Sequence, residues 1–151
     1  MKAHLIAGLF VLAAPVLAQE DMVIDQTKLY VSDPAACQAL EKQGVDAWMD
    51  MDFLSLSFTS GIQSMEFHCN FYDIKSRPNT PLLFVDAVCE MPGDLYPDMM
   101  AIAPNGEDSI RVVSSSDTIL ALANSDAPPS DYPAGTTIYH RCDNLSEIPV
   151  D

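Results

Sequence analysis

The residues able to do chemistry in this chain are few in kind: three histidines, four cysteines, eight methionines and 22 carboxylates among 151 residues. A hydrolytic nucleophile needs Ser or Cys beside a histidine. No Gly-x-Ser-x-Gly motif is present, and His4 falls in an export segment, which leaves His68 and His140. Glu66 and His68 stand two residues apart in an alternating stretch, so an extended strand would place them on one side. There a carboxylate and an imidazole could pair or pass a proton. They are the candidate surface site, with an ordinary exposed strand pair as the alternative. His140 alternates with Ile138 and Cys142 and is expected as a hydrogen-bonded, partly buried side chain.

Metal chemistry finds less support. Asp50 and Asp52, in Trp48-Met49-Asp50-Met51-Asp52, hint at calcium, but the glycine and distal glutamate of an EF-hand loop are missing. Met49, Met51, Met91, Met99 and Met100, with a histidine, are soft enough for Cu(I). Their spacing forms no copper motif, and methionine is a common core filler. No metal, no cofactor and no catalytic residue is therefore expected. Asn144-Leu145-Ser146 is formally a glycosylation sequon.

Cys37, Cys69, Cys89 and Cys142 contain no CxxC pair, which argues against a thioredoxin-like site and a zinc ribbon. An even count in an exported chain reads as two disulfides. Residues 1–18 are the export signal: Lys2 supplies the charge, residues 5–17 the apolar run, and Val16-x-Ala18 the cleavage site. The mature chain is then expected to start at Gln19, with no cysteine there for a lipid anchor. No second apolar run of about 18 residues follows, so the expected location is periplasmic or secreted, without a membrane anchor.

Without Lys2, six basic residues face 22 acidic ones, a net charge of −16. Such a surface repels nucleic acid and anionic lipid, and favours a cation or a basic exported protein as partner.

The elements that must position these residues are mostly strands. Residues 28–31 predict a short strand, and 34–43 a helix started by Asp33 and Pro34 and ended at Gly44. Alternation over 53–59 and 65–71 predicts two strands, with Met65, Phe67, Cys69 and Phe71 facing the core. Residues 76–81 connect to a strand at 82–91, and Pro92-Gly93 makes a turn. Strands at 96–103 and 109–115 flank Asn105-Gly106. Residues 118–124 form a short helix capped by Asp117, or a buried extended run; 125–135 is a surface loop. A last strand spans 136–142, followed by a loose tail, 143–151.

Residues 19–151 are thus one disulfide-stapled, mainly β domain, an antiparallel sandwich or partly open barrel of six or seven strands with one or two short helices. A hairpin centred on residue 79 sets Cys69 opposite Cys89. Because directly opposed cysteines bridge only at few registers, Cys37–Cys69 with Cys89–Cys142 is favoured over Cys69–Cys89 with Cys37–Cys142.

The pattern of Asp33-Pro34-Ala35-Ala36-Cys37, Gly61-Ile62-x-x-x-Glu66-x-x-Cys69, Ala87-Val88-Cys89-Glu90 and Tyr139-His140-Arg141-Cys142 resembles the small exported two-disulfide β-domain proteins of Gram-negative, alphaproteobacterial-type bacteria. That resemblance implies compartment and fold, and no activity. A fainter resemblance, through Thr59-Ser60-Gly61, is to periplasmic lysozyme inhibitors, which implies an inhibitory loop. The leading expectation is a non-enzymatic exported binding or interaction protein. The alternatives are an inhibitor of a basic cell-wall hydrolase such as lysozyme, and a small hydrolase using Glu66 and His68.

Overall fold

The computed structural model describes residues 23–124 and 131–150; the export segment 1–18 and residues 125–130 of the expected loop lie outside them. Among the described residues eight antiparallel strands follow one another around a closed barrel: β1 (Leu29–Val31), β2 (Ser55–Ser57), β3 (Gly61–Gln63), β4 (His68–Ser76), β5 (Leu83–Met91), β6 (Asp94–Pro104), β7 (Ser109–Ser114) and β8 (Thr136–Cys142). β1 pairs with both β2 and β8, which removes every open end of the sheet order. The expected sandwich or partly open barrel is thereby corrected to a closed one. The strand missing from the sequence reading is β3, three residues long and too short to show a period.

Alternation sorts the side chains into an inside and an outside. Tyr30, Leu56, Ile62, Cys69, Val85, Cys89, Met100, Ile102, Val112 and Tyr139 fill the interior, as expected for a small barrel whose lumen is just wide enough for its own side chains. A second cluster lies outside the wall. Helix α1 (Ala36–Gln43), a 3-10 turn and the one-turn helix α2 (Ala47–Asp50) pack Ala36, Leu40 and Ala47 over Leu29, Val31 and Cys142. β1 is therefore buried on both faces.

The two layers decide the disulfides. Cys69 and Cys89 face each other inside the barrel, bonded with their Cα atoms 3.9 Å apart, while Cys37 on α1 bonds Cys142 on the outer face of β8. This overturns the favoured Cys37–Cys69 and Cys89–Cys142 pairing. The barrel wall stands between Cys37 and Cys69, so the favoured bridge would have to pass through the sheet.

Other differences have local causes. Residues 64–67 form a turn closed by the Ser64 amide donating to the Phe67 carbonyl at 2.7 Å, so β4 begins at His68 and Met65 is exposed where a core position was expected. A bulge at Tyr72 lets β4 continue to Ser76. α1 starts later than expected because Asp33 Oδ1 accepts the Ala35 amide two residues on, a turn that delays the helix. Gly44, at φ +57°, ends it as anticipated. On β8 it is Tyr139 that enters the core, and His140 turns to the outer face. The tail is held at its start: Leu145 is buried and its carbonyl accepts the Leu29 amide at 2.9 Å.

Candidate interaction surface

The barrel has two chemically different ends. At one end, that of the connections 24–28, 77–82 and 105–108, two of the basic residues form ion pairs and a third bonds a backbone carbonyl. Arg141 bonds Asp108 at 2.6 Å and Asp143 at 3.0 Å, Lys28 Nζ donates to the Asp143 carbonyl at 2.6 Å, and Lys75 sits between Asp73 and Asp86. The opposite end is built from residues 50–54, 64–68, 89–98, 112–124 and 131–137. Among the described residues these segments hold no Lys or Arg, while Asp50, Asp52, Glu66, Glu90, Asp94, Asp98, Asp117 and Asp131 all lie on them.

Helix α3 (Ser115–Ala123) crosses this second end between β7 and β8. Its cap is Ser114, whose Oγ accepts the Asp117 amide at 3.0 Å, three residues before the start the sequence suggested. The same hydroxyl donates to Asp98 Oδ2 at 2.6 Å. Asp98, only 4% exposed, also accepts from Ser115 Oγ at 2.6 Å and from the amides of Ser116 and Met99 at 3.1 and 2.8 Å. Burial works to raise its pKa, but these donors more than offset that and hold the carboxyl below its ordinary value. Asp117 goes the other way: desolvation at the cavity edge and then the neighbouring Asp98 charge raise it.

Inside this mouth Tyr96, Asp98, Met100, Ser114, Asp117 and Tyr139 surround a cavity of about 30 Å³, room for a water and not for an organic ligand. Burial and then Asp117 push the Tyr139 phenol far above its usual range. Tyr96 is raised by burial, with Asp117, Asp98 and Asp94 adding to the shift. The interior is thus a packed core.

Of the residues singled out from sequence, Asp50, Asp52, Glu66 and His68 lie around this end, while His140 sits on β8 opposite Val31 and Ser109. Glu66 lies on the 64–67 turn and faces a groove of about 390 Å³ shared with Trp48, Asp50, Met51, Asp52 and Met65. Trp48 stacks on Phe53 at 6.0 Å to form one wall. His68 instead takes Glu90 of β5 as its partner, Nε2 to Oε2 3.3 Å. The expected Glu66–His68 pair gives way because the turn ends the alternation between them. The groove brings Asp50, Asp52 and Glu66 to one rim, yet among the described residues no three His, Cys, Asp or Glu groups converge as metal ligands.

Gly61, in the Thr59-Ser60-Gly61 turn, has a structural duty. At φ +86° it lies so close to β4 that a Cβ would stand 1.8 Å from the Cys69 carbonyl oxygen. Sequence reasoning missed Asp98 and Ser114; the parity of Asp98 with Tyr96, Met100 and Ile102 was the signal that it points inward. No protein-family model, curated protein or solved structure matches the chain.

Proposed function

We propose that this is an exported, periplasmic, non-enzymatic binding module of the two-disulfide β-domain type, whose α3 end docks on a basic protein. The carrying observation is the charge asymmetry. At one barrel end Lys75 and Arg141 are paired with carboxylates, whereas among the described residues the segments of the α3 end carry eight carboxylates, Asp98 of them buried, and no Lys or Arg. A one-signed field of this kind raises the association rate with a cationic surface and makes binding salt-sensitive. Two disulfides suit an oxidising compartment.

The same asymmetry favours a second, narrower reading, inhibition of a basic cell-wall hydrolase. The hydrolase reading through Glu66 and His68 has less to stand on, since His68 takes another partner.

The experiment is capture from periplasmic extract on immobilised protein at low salt, eluting with a salt gradient. The account expects a basic protein that elutes as the Debye length falls from about 10 Å at 0.1 M toward 3 Å at 1 M. Capture should fail on an Asp50→Lys, Glu66→Lys, Glu90→Lys variant. Retention indifferent to salt and to these changes would overturn it.

A further inference from the structure

Helix α3 turns its large apolar residues toward solvent although it packs on a barrel. Thr118 faces the protein, its Oγ1 within hydrogen-bond distance of the Ser114 carbonyl at 2.6 Å and the Ala134 carbonyl at 3.0 Å, while Asp117 borders the mouth cavity and is itself exposed. Gly135 closes on that face so tightly that a Cβ would stand 2.4 Å from the Thr118 amide. The apolar residues face away, with Ile119, Leu120 and Leu122 at 68%, 66% and 73% exposure, and no residue of the helix is buried. Scattered exposed leucines are ordinary, but three large apolar residues exposed together on one nine-residue helix are not.

The patch continues onto β6. The Met99 amide donates to Ser115 Oγ at 3.2 Å, which sets the exposed Met99 side chain beside the first turn of α3, and exposed Leu95 lies on the same outer face of the strand. Asp94, Asp98 and Asp117 gather around Tyr96 at its margin.

Resting on the reading above, we infer that α3, with Met99 and Leu95, is the apolar anchor of the acidic end, and that its occupant is a basic protein face whose apolar centre is bordered by Lys or Arg. Charge complementarity selects that occupant. A second copy would bring like-charged carboxylates together, and an anionic lipid surface would meet the same repulsion. The anchor supplies buried apolar contact at the centre and the carboxylates supply orientation at the rim, the usual division in protein interfaces.

The test titrates the full protein with two synthetic peptides of equal positive charge, an amphipathic lysine–leucine helix and a lysine–serine peptide, and measures Kd by calorimetry. The inference expects the lysine–leucine helix to bind about tenfold tighter or more. Ile119→Ser with Leu122→Ser should abolish that difference with thermal stability unchanged, since both positions are exposed, whereas Phe84→Ser on β5 should not alter it. Equal affinity for the two peptides, with both binding, would overturn the anchor and leave the basic-partner reading standing. Binding of neither would remove the reading itself, and the anchor with it. Self-association through the patch in sedimentation, lost in the double variant, would overturn the inference in favour of a second copy. Co-pelleting with phosphatidylglycerol-containing vesicles would overturn it in favour of lipid.

Discussion

Asp98 and Asp117 are joined through one hydroxyl: Ser114 Oγ donates to the Asp98 carboxylate at 2.6 Å while accepting the Asp117 amide at 3.0 Å. The last residue of β7 thereby caps α3 and ties it to β6, so the orientation of the exposed helix depends on a buried charge.

The two carboxyls predict opposite pH behaviour. Asp98 has a lowered folded pKa, so its stabilisation is present above the ordinary carboxylate value and is lost as pH falls through the lowered one. Asp117 has a raised folded pKa, so its favourable contribution belongs to acid pH and is lost as pH rises through the raised value. Asp117→Asn should therefore raise Tm at pH 7, with the gain vanishing below about pH 3.5, where the wild-type carboxyl is protonated in both states. Melting curves across pH 3–8 check this; a lower Tm at pH 7 would contradict it.

Ser114→Ala removes a helix cap and a charge-assisted hydrogen bond together. A cost of about 2–3 kcal/mol is expected in urea unfolding, with loss of helical signal from α3. Ser115→Ala, which leaves the cap intact, should cost less.

Peptide mapping without reduction should recover Cys37 linked to Cys142 and Cys69 linked to Cys89. On chain-entropy grounds the bridge spanning 105 residues is worth about 4–5 kcal/mol, and the one spanning 20 residues about 3 kcal/mol. Replacing both cysteines of a bridge by Ala should reveal that order by denaturant unfolding.

Gly61→Ala places a methyl group against the Cys69 carbonyl at a backbone angle that suits glycine. Destabilisation above about 3 kcal/mol is expected, read as a drop in soluble yield and in Tm.

Most strands were legible in the sequence, and β3 was not. β5, β6, β7 and β8 announce themselves by alternation and by the Pro92-Gly93 and Asn105-Gly106 turns, because a strand of six or more residues displays its period. β3, at three residues, cannot, and with it went the closure of the barrel. The two-layer core was hidden for the same reason. Leu29, Tyr30 and Val31 are all buried, so β1 lacks the polar face that would reveal its parity. The disulfides followed from that: only once α1 is outside the wall do the four cysteines sort into two inside and two outside. At the candidate surface the acidic excess was plain from composition, but its concentration at one end is a product of topology. The outward face of α3 was legible only as apolar residues that invited burial.

The central claim is that recognition occurs at the α3 end, and the most direct measurement is an amide NMR titration of the protein with the lysine–leucine helix at low and high salt. The account predicts shifts confined to residues 50–52, 64–66, 90–99 and 115–123, weakening as salt rises. Shifts centred on 75–82 and 105–110, at the opposite end of the barrel, would contradict it.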